Sequence, residues 1–260
     1  MTTNAPTKIN QLLASQPGGV VLLSFWLAEQ GYSLDLQKAY RRSRWLESIG
    51  TGAMIRTGDA VSYEGAIYAL QKQNGLPIHP GGRTALVLLG KAHYLPLSER
   101  EVTVFGEDQA RLPVWFLKRD WGVTVDYHQS SFLPSGIGMT EIEVKNYFIS
   151  ISGAARALME CLYLAPEKMA LVECYELMEG LNNLKPVQVQ RLLEECNSIK
   201  VKRLFLYMAK KANHSWLEFV QLSKVDLGSG KRSIVKNGVY IDSYQITVPK
   251  ELAEYGERNV

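Results

Sequence analysis

The chain has 260 residues, 46% of them hydrophobic and 21% charged, and its 29 Lys and Arg against 26 Asp and Glu leave a net charge of +3. That apolar content excludes an intrinsically disordered chain, and the length suits one large domain or two ordinary ones. No apolar run approaches the roughly 18 residues a membrane helix needs and residues 1–8 are polar, so neither a span nor a secretory signal is expected, and the protein is expected to be cytoplasmic.

The charge is unevenly placed. Residues 1–95 hold nine Lys or Arg against five Asp or Glu, a net of +4, and the remainder is close to neutral. A basic first part suits an anionic partner. Cys161, Cys174 and Cys196 form no CxxC pair and sit in apolar, helical-looking runs, which predicts buried free thiols and no disulfide.

Ile9, Leu12 and Leu13 recur at helical spacing and Pro17-Gly18-Gly19 ends the pattern, predicting a short first helix. Residues 20–30 (VVLLSFWLAEQ) are apolar around most of the circumference, as for the central helix of a three-helix packet, and Gly31 is a natural terminator. Only Gly31, Tyr32 and Ser33 separate this run from the next, the length of a helix-turn-helix turn. Ser33 is the expected cap of the third helix, with Asp35 in its first turn. Leu36, Ala39, Tyr40 and Ser43 make a narrow packing face, and Gln37, Lys38, Arg41, Arg42 and Arg44 the opposite stripe. Such a stripe is either a solvated face or a major-groove reader, since Arg and Gln bond base edges and Lys and Arg neutralise phosphates. The glycine turn ahead of it favours the reader.

Trp45, Leu46 and Ile49, then Gly50-Thr51-Gly52, then residues 53–56 (AMIR) and Thr57-Gly58-Asp59 predict a β-hairpin wing. Thr51 and Arg56 are expected beside the phosphate backbone or minor groove; the hairpin equally closes the small core through Met54 and Trp45. Residues 63–73 form an amphipathic helix through Ala66, Ile67 and Leu70, and 84–89 a short apolar run. Backbone N–H groups at Gly81, Gly82 and Arg83 are a secondary phosphate candidate.

From Glu101 the pattern alternates, predicting strands within 102–105, 112–117, 123–127 and 142–151. Ser152 is the expected cap of a helix over 153–164, Pro166 opens another ending before Gly180, Pro186 a third up to Cys196, and 199–212 is a fourth. In the tail, 216–222 is a candidate strand, 233–236 and 239–244 flank the hairpin signal Asn237-Gly238, and 246–248 is a last strand. The predicted fold is α+β: an N-terminal winged helix-turn-helix domain with a helical extension, residues 1–95, followed by a mixed α+β domain, residues 96–260.

Catalytic signals are sparse. Gly228-Ser229-Gly230-Lys231 fails as a phosphate loop because Val225 and Arg232 stand where glycine and Ser or Thr are required. Asp126, Glu143 and Lys145 suggest a Mg²⁺-dependent nuclease, but Glu141, Glu143 and Lys145 alternate with Ile142 and Val144 as on any half-exposed strand. His79, His93, His128 and His214 are scattered, so no metal site and no cofactor are expected. Lys200, Lys202, Arg203, Lys210 and Lys211 form a second basic cluster, read as a solvated helix face ahead of a contact to nucleic acid or an acidic protein.

Residues 34–59 (LDLQKAYRRSRWLESIGTGAMIRTGD), 65–71 (GAIYALQ) and 79–86 (HPGGRTAL) resemble the winged-helix N-terminus of AbiEi antitoxins. Residues 150–160 (SISGAARALME), 200–206 (KVKRLFL), 226–236 (DLGSGKRSIVK) and 244–249 are similar to that family's C-terminal domain. The resemblance implies a non-enzymatic antitoxin of a type IV system that binds inverted repeats in the promoter of its own operon and represses it. Its C-terminal domain would counter an AbiEii-like nucleotidyltransferase toxin without a stable complex. By position Gln37, Lys38, Arg41, Arg42 and Arg44 fall on the recognition helix and Arg56 on the wing, with Ser33 and Thr51 beside them. One departure is Arg44, where the family often has glycine. Two copies on the operator are expected by symmetry, assembling on DNA from a monomer in solution. Alternatives are a nuclease targeted by a winged helix and a regulator whose second domain senses a small ligand.

Overall fold

A computed structural model describes residues 7–92 and 101–256. The first unit runs α1 (Lys8–Ser15), β1 (Leu22–Leu23), α2 (Ser24–Glu29), α3 (Leu34–Arg42), β2 (Leu46–Gly50) and β3 (Ala53–Arg56). Its strands form an antiparallel sheet in the order β1-β3-β2, with Leu22 opposite Met54 and Leu46 opposite Arg56. Residues 20–30 are therefore helical only in their second half. Val20, Val21, Leu22 and Leu23 are all buried, and an uninterrupted apolar run serves a buried strand as well as a buried helix. Ser24 ends the strand by donating its N–H to Gly52 O at 2.9 Å. Leu12, Leu27, Leu46, Met54 and Ile55 fill the space between the helices and the sheet.

Next come α4 (Tyr63–Lys72), β4 (Ile78–Pro80) and α5 (Gly82–Leu88). The second half contributes β5 (Glu101–Gly106), α6 (Val114–Lys118), β6 (Thr124–Gln129), β7 (Met139–Val144), β8 (Tyr147–Ser152), α7 (Ala154–Leu164), α8 (Leu171–Glu179), α9 (Pro186–Glu195) and α10 (Ile199–Lys211). It ends with β9 (Arg232–Ser233), β10 (Val239–Ile241), β11 (Ile246–Val248) and α11 (Lys250–Ala253). The fold is α+β. The expected division between residues 95 and 96, and His93, lie outside the described residues. On either side of that gap the halves are joined: β4 pairs antiparallel with β5, which pairs parallel with β6. Gln71 on α4 also clamps β8, donating to Ser150 O at 2.8 Å and accepting from Ser150 N at 2.9 Å.

Several local expectations change. Residues 114–118 are helical because Pro113 sits at the N-cap with φ −68°, a start that proline favours. The cap of α7 is Gly153, and the Ser152 hydroxyl instead bonds a buried carboxylate. Pro166 follows a cis peptide, and the helix expected from it begins later, at Leu171. Residues 215–219 and 222–224 are 3-10 turns. Asn237 takes the positive φ of a turn, but β10 pairs with β11, and β9 joins β11 in parallel, so no 233–236/239–244 hairpin forms. The core of the second half is α7 against α8 and α10, where Leu158, Met159, Leu162, Leu204, Phe205 and Met208 have no exposed surface. Cys161, Cys174 and Cys196 are free and buried there; burial pushes all three thiols up, Cys174 to about 12.

Candidate nucleic-acid interface

Helix α3 is set by its own ends. Gly31 adopts φ 84°, which reverses the chain after α2 at no steric cost. Ser33 then accepts a hydrogen bond from Leu36 N at 3.3 Å as N-cap, with Asp35 in the first turn. At the other end Trp45 N donates to Tyr40 O at 2.9 Å, and Arg44 holds φ 56°, the left-handed position that usually falls to glycine after a helix. A glycine is thus the sterically natural residue at position 44, and the arginine there is held outward in solvent.

The buried face consists of Gln37 and Tyr40 with Leu36 at its edge, and Ala39 is exposed. Gln37, expected on the outward stripe, is 1% exposed. Its amide donates to Ser24 O at 2.9 Å and Tyr32 O at 2.8 Å and accepts from Ser24 Oγ at 2.6 Å, so it pins α2 to α3. The stripe that remains is Lys38, Arg42 and Arg44, all exposed, with Arg41 half-buried and its Nη1 donating to Met54 Sδ at 3.2 Å. Among the described residues the stripe has one ion pair, Lys38 with Asp35 at 3.5 Å, and both side chains are in solvent. Leu34 and Trp45 lie exposed on the same helix and just past its end.

β2 and β3 are joined through Thr51-Gly52, which puts Thr51 in solvent at the hairpin tip. Arg56 stands at the other end, its Nη2 donating to Leu13 O at 2.7 Å and also to Gln16 O. It ties the hairpin to α1 and does not extend along the outer edge. Gly81 and Gly82 are likewise committed: Gly81 N donates to Thr103 O and Gly82 N to the Glu160 carboxylate, so neither is free for a phosphate.

The other candidates are separated or turned inward. Asp126 lies on β6, bonded to His128 at 2.8 Å and Lys168 at 3.5 Å, whereas Glu143 is exposed on β7 in a different sheet. Among the described residues no group of three or more His, Cys, Asp or Glu is placed to hold a metal ion. The 228–231 loop offers carbonyls to Arg203, which donates to Gly230 O at 2.7 Å and Gly228 O at 3.1 Å and, outside the loop, to Leu227 O at 2.7 Å and Gln245 O at 3.2 Å. Lys202 and Arg203 are 3% and 2% exposed, and Lys200 donates to Tyr163 O and Ala165 O, both at 2.7 Å. The second basic cluster is therefore largely internal, not a solvated face.

The description of a transcriptional regulator, AbiEi antitoxin N-terminal domain, matches residues 5–97, and that of a transcriptional regulator, AbiEi antitoxin of a type IV toxin-antitoxin system, matches residues 99–249. The chain belongs to the AbiEi antitoxin family. The fold of this AbiEi protein is similar to the crystal structure of the RV2827C protein from Mycobacterium tuberculosis, at 14% identity over 92% of this chain and 89% of that one, with a TM-score of 0.56. No curated protein matches the chain. No helix of the described residues is long and apolar enough to cross a membrane.

Two features of this AbiEi chain escape sequence reasoning. The first braces the β2-β3 hairpin: a Cβ at Gly50 would lie 2.6 Å from Trp115 Cβ, so α6 of the second half rests directly on β2. The second is a buried carboxylate, Glu160. It accepts from Arg156 Nε at 2.9 Å, Ser152 Oγ at 2.7 Å and Gly82 N at 2.8 Å, with His79 Nε2 at 3.0 Å. Burial raises its pKa, but His79, Arg156 and Ser152 together outweigh burial and hold it below the usual carboxylate value. The signal was present as Arg and Glu four apart on an otherwise apolar helix, a pattern that requires internal partners.

Proposed function

We propose that this AbiEi regulator binds the promoter of its own operon through α3 and represses it. The supporting observation is that Lys38, Arg42 and Arg44 stand in solvent along one side of a capped helix that follows a glycine turn. Among the described residues the only ion pair they make is that of Lys38 with the exposed Asp35. In the groove Arg41, Arg42 and Arg44 supply base-edge or phosphate contacts, Lys38 and the Ser33 region meet the backbone, and Thr51 at the hairpin tip reaches an adjacent phosphate. Gln37 and Arg56 act from behind, as the pin of α2 on α3 and the tie of the hairpin to α1. Two copies on an inverted repeat follow from the symmetry of such sites. The second half serves the antitoxin role against a nucleotidyltransferase-like toxin without a stable complex and without catalysis of its own. Footprinting on the upstream region of the operon tests the reading: two protected half-sites are expected, and no protection at any salt concentration overturns it.

A further inference from the structure

A cavity of about 430 Å³ opens between the two halves, within the size range of small-ligand sites. Its walls come from α4 and β4 on one side and from β5, the 130–139 segment and α7 on the other. Ile78, Phe105, Phe132, Leu133 and Met139 make the apolar surface. Lys72 and Glu141 face each other at 2.9 Å on its edge and cancel in charge. Glu107 is an exposed carboxylate of the lining, and Arg156 is its buried arginine, 4% exposed.

The guanidinium is only partly used by the protein. Nε goes to Glu160, and Nη1 donates to Pro134 O and Ile137 O, both at 2.7 Å. Nη2 has no acceptor among the described residues. Arg156 lines the cavity, and Nη2 is the guanidinium nitrogen left for a ligand there. Glu160 is the ion-pair partner of Nε, and that pair leaves the two Nη2 hydrogens without an acceptor. A buried N–H pair beside aromatic and aliphatic walls is matched by an acceptor-bearing group on an apolar body.

We propose that this cavity is a binding site for a small aromatic or aliphatic carboxylic acid whose carboxylate is received by Arg156 and whose apolar body lies against Phe105, Phe132 and Met139. The site is independent of DNA recognition, and its test contains no DNA. The full chain is titrated with naphthoate, and with naphthalene methanol as the neutral analogue, by ligand-detected saturation-transfer NMR. Naphthoate binding at least tenfold tighter than the alcohol is expected. Ser135→Trp fills the mouth from an exposed position, and Met139→Trp fills the interior; each is expected to abolish the naphthoate signal, with thermal melts establishing that the variants are folded. Three results overturn the proposal: no naphthoate signal from the wild-type protein, equal binding of the alcohol, or undiminished naphthoate binding to folded Ser135→Trp.

Discussion

Helices α3 and α10 look alike in sequence, each a short amphipathic run with several Lys and Arg, and the fold uses them in opposite ways. On α3 the cations Lys38 and Arg42, with Arg44 just beyond, are left to solvent. On α10 three of the five cations are spent on backbone carbonyls: Lys200 on two, Arg203 on four, and Lys211 on Ala253 O at 3.0 Å. A basic helix is an interface only when no carbonyl-rich loop folds over it. Charge on a helix reports a binding surface through the acceptors that are missing, and those are a property of tertiary structure.

The comparison breaks most readily at Arg203. Replacing it by alanine strands four carbonyls around a hole, and a loss of about 3 to 5 kcal/mol in urea unfolding is expected, with much smaller losses for any single α3 cation. A change below about 1 kcal/mol would make α10 an ordinary surface helix. Next in size is Glu160→Gln, which leaves buried Arg156 without its anion and is expected to cost about 2 to 3 kcal/mol at neutral pH. Because the carboxyl is held below its usual value in the folded chain, its contribution is complete above the unfolded value of about 4.3. It is lost as pH falls through the lower folded value. The stability difference between wild type and Glu160→Gln should therefore shrink on acidification. A difference that is flat with pH would mean that Glu160 is not ionised in the fold.

What was legible in the chain was local. The Gly31 turn, the Ser33 cap, the Thr51-Gly52 hairpin and the Pro186 helix start each depend on a few adjacent residues, and the structure has all four. What was not legible depended on distant backbone. Gln37 and Arg56 read as outward-facing polar residues, and each is held by carbonyls from other elements, which leave no mark in periodicity. The 20–23 segment read as helix because burial on all sides hides the period. The Asn237-Gly238 signal marked a true turn but not its strand partners, since β11 pairs with β10 on one side and β9 on the other.

On α3 the comparison is sharpened by binding measurements. Arg42→Ala is expected to weaken operator affinity by about 1 to 3 kcal/mol if it reads a base edge, with unfolding unchanged within about 0.5 kcal/mol. If its contact is to phosphate, the loss is similar across sequences and the slope of log affinity against log salt falls by about one. Gel shifts at two salt concentrations, on operator and scrambled DNA, separate these outcomes. Arg44→Gly makes the opposite trade. Its left-handed φ costs a side chain about 1 kcal/mol, so glycine is expected to stabilise the fold slightly while operator binding weakens. Stabilisation with unchanged affinity would reduce Arg44 to a strained helix terminator.

The smallest expected effect compares two exposed lysines, Lys38 on α3 and Lys210 on α10. Neither carries much stability, since the Lys38–Asp35 pair at 3.5 Å is exposed and surface pairs of that kind contribute little. Their electrostatic settings differ all the same. Lys38 belongs to the stripe proposed to face DNA, so Lys38→Gln should lower the salt slope of operator binding by about 0.9, the release of one counterion. Lys210→Gln removes the same charge from the other half, and at physiological salt the field of a charge outside the interface is screened within about 8 Å, so the slope should not move. Equal slopes for the two variants would mean that DNA senses only net charge, and the distinction between the outward and inward basic helices would carry no functional weight.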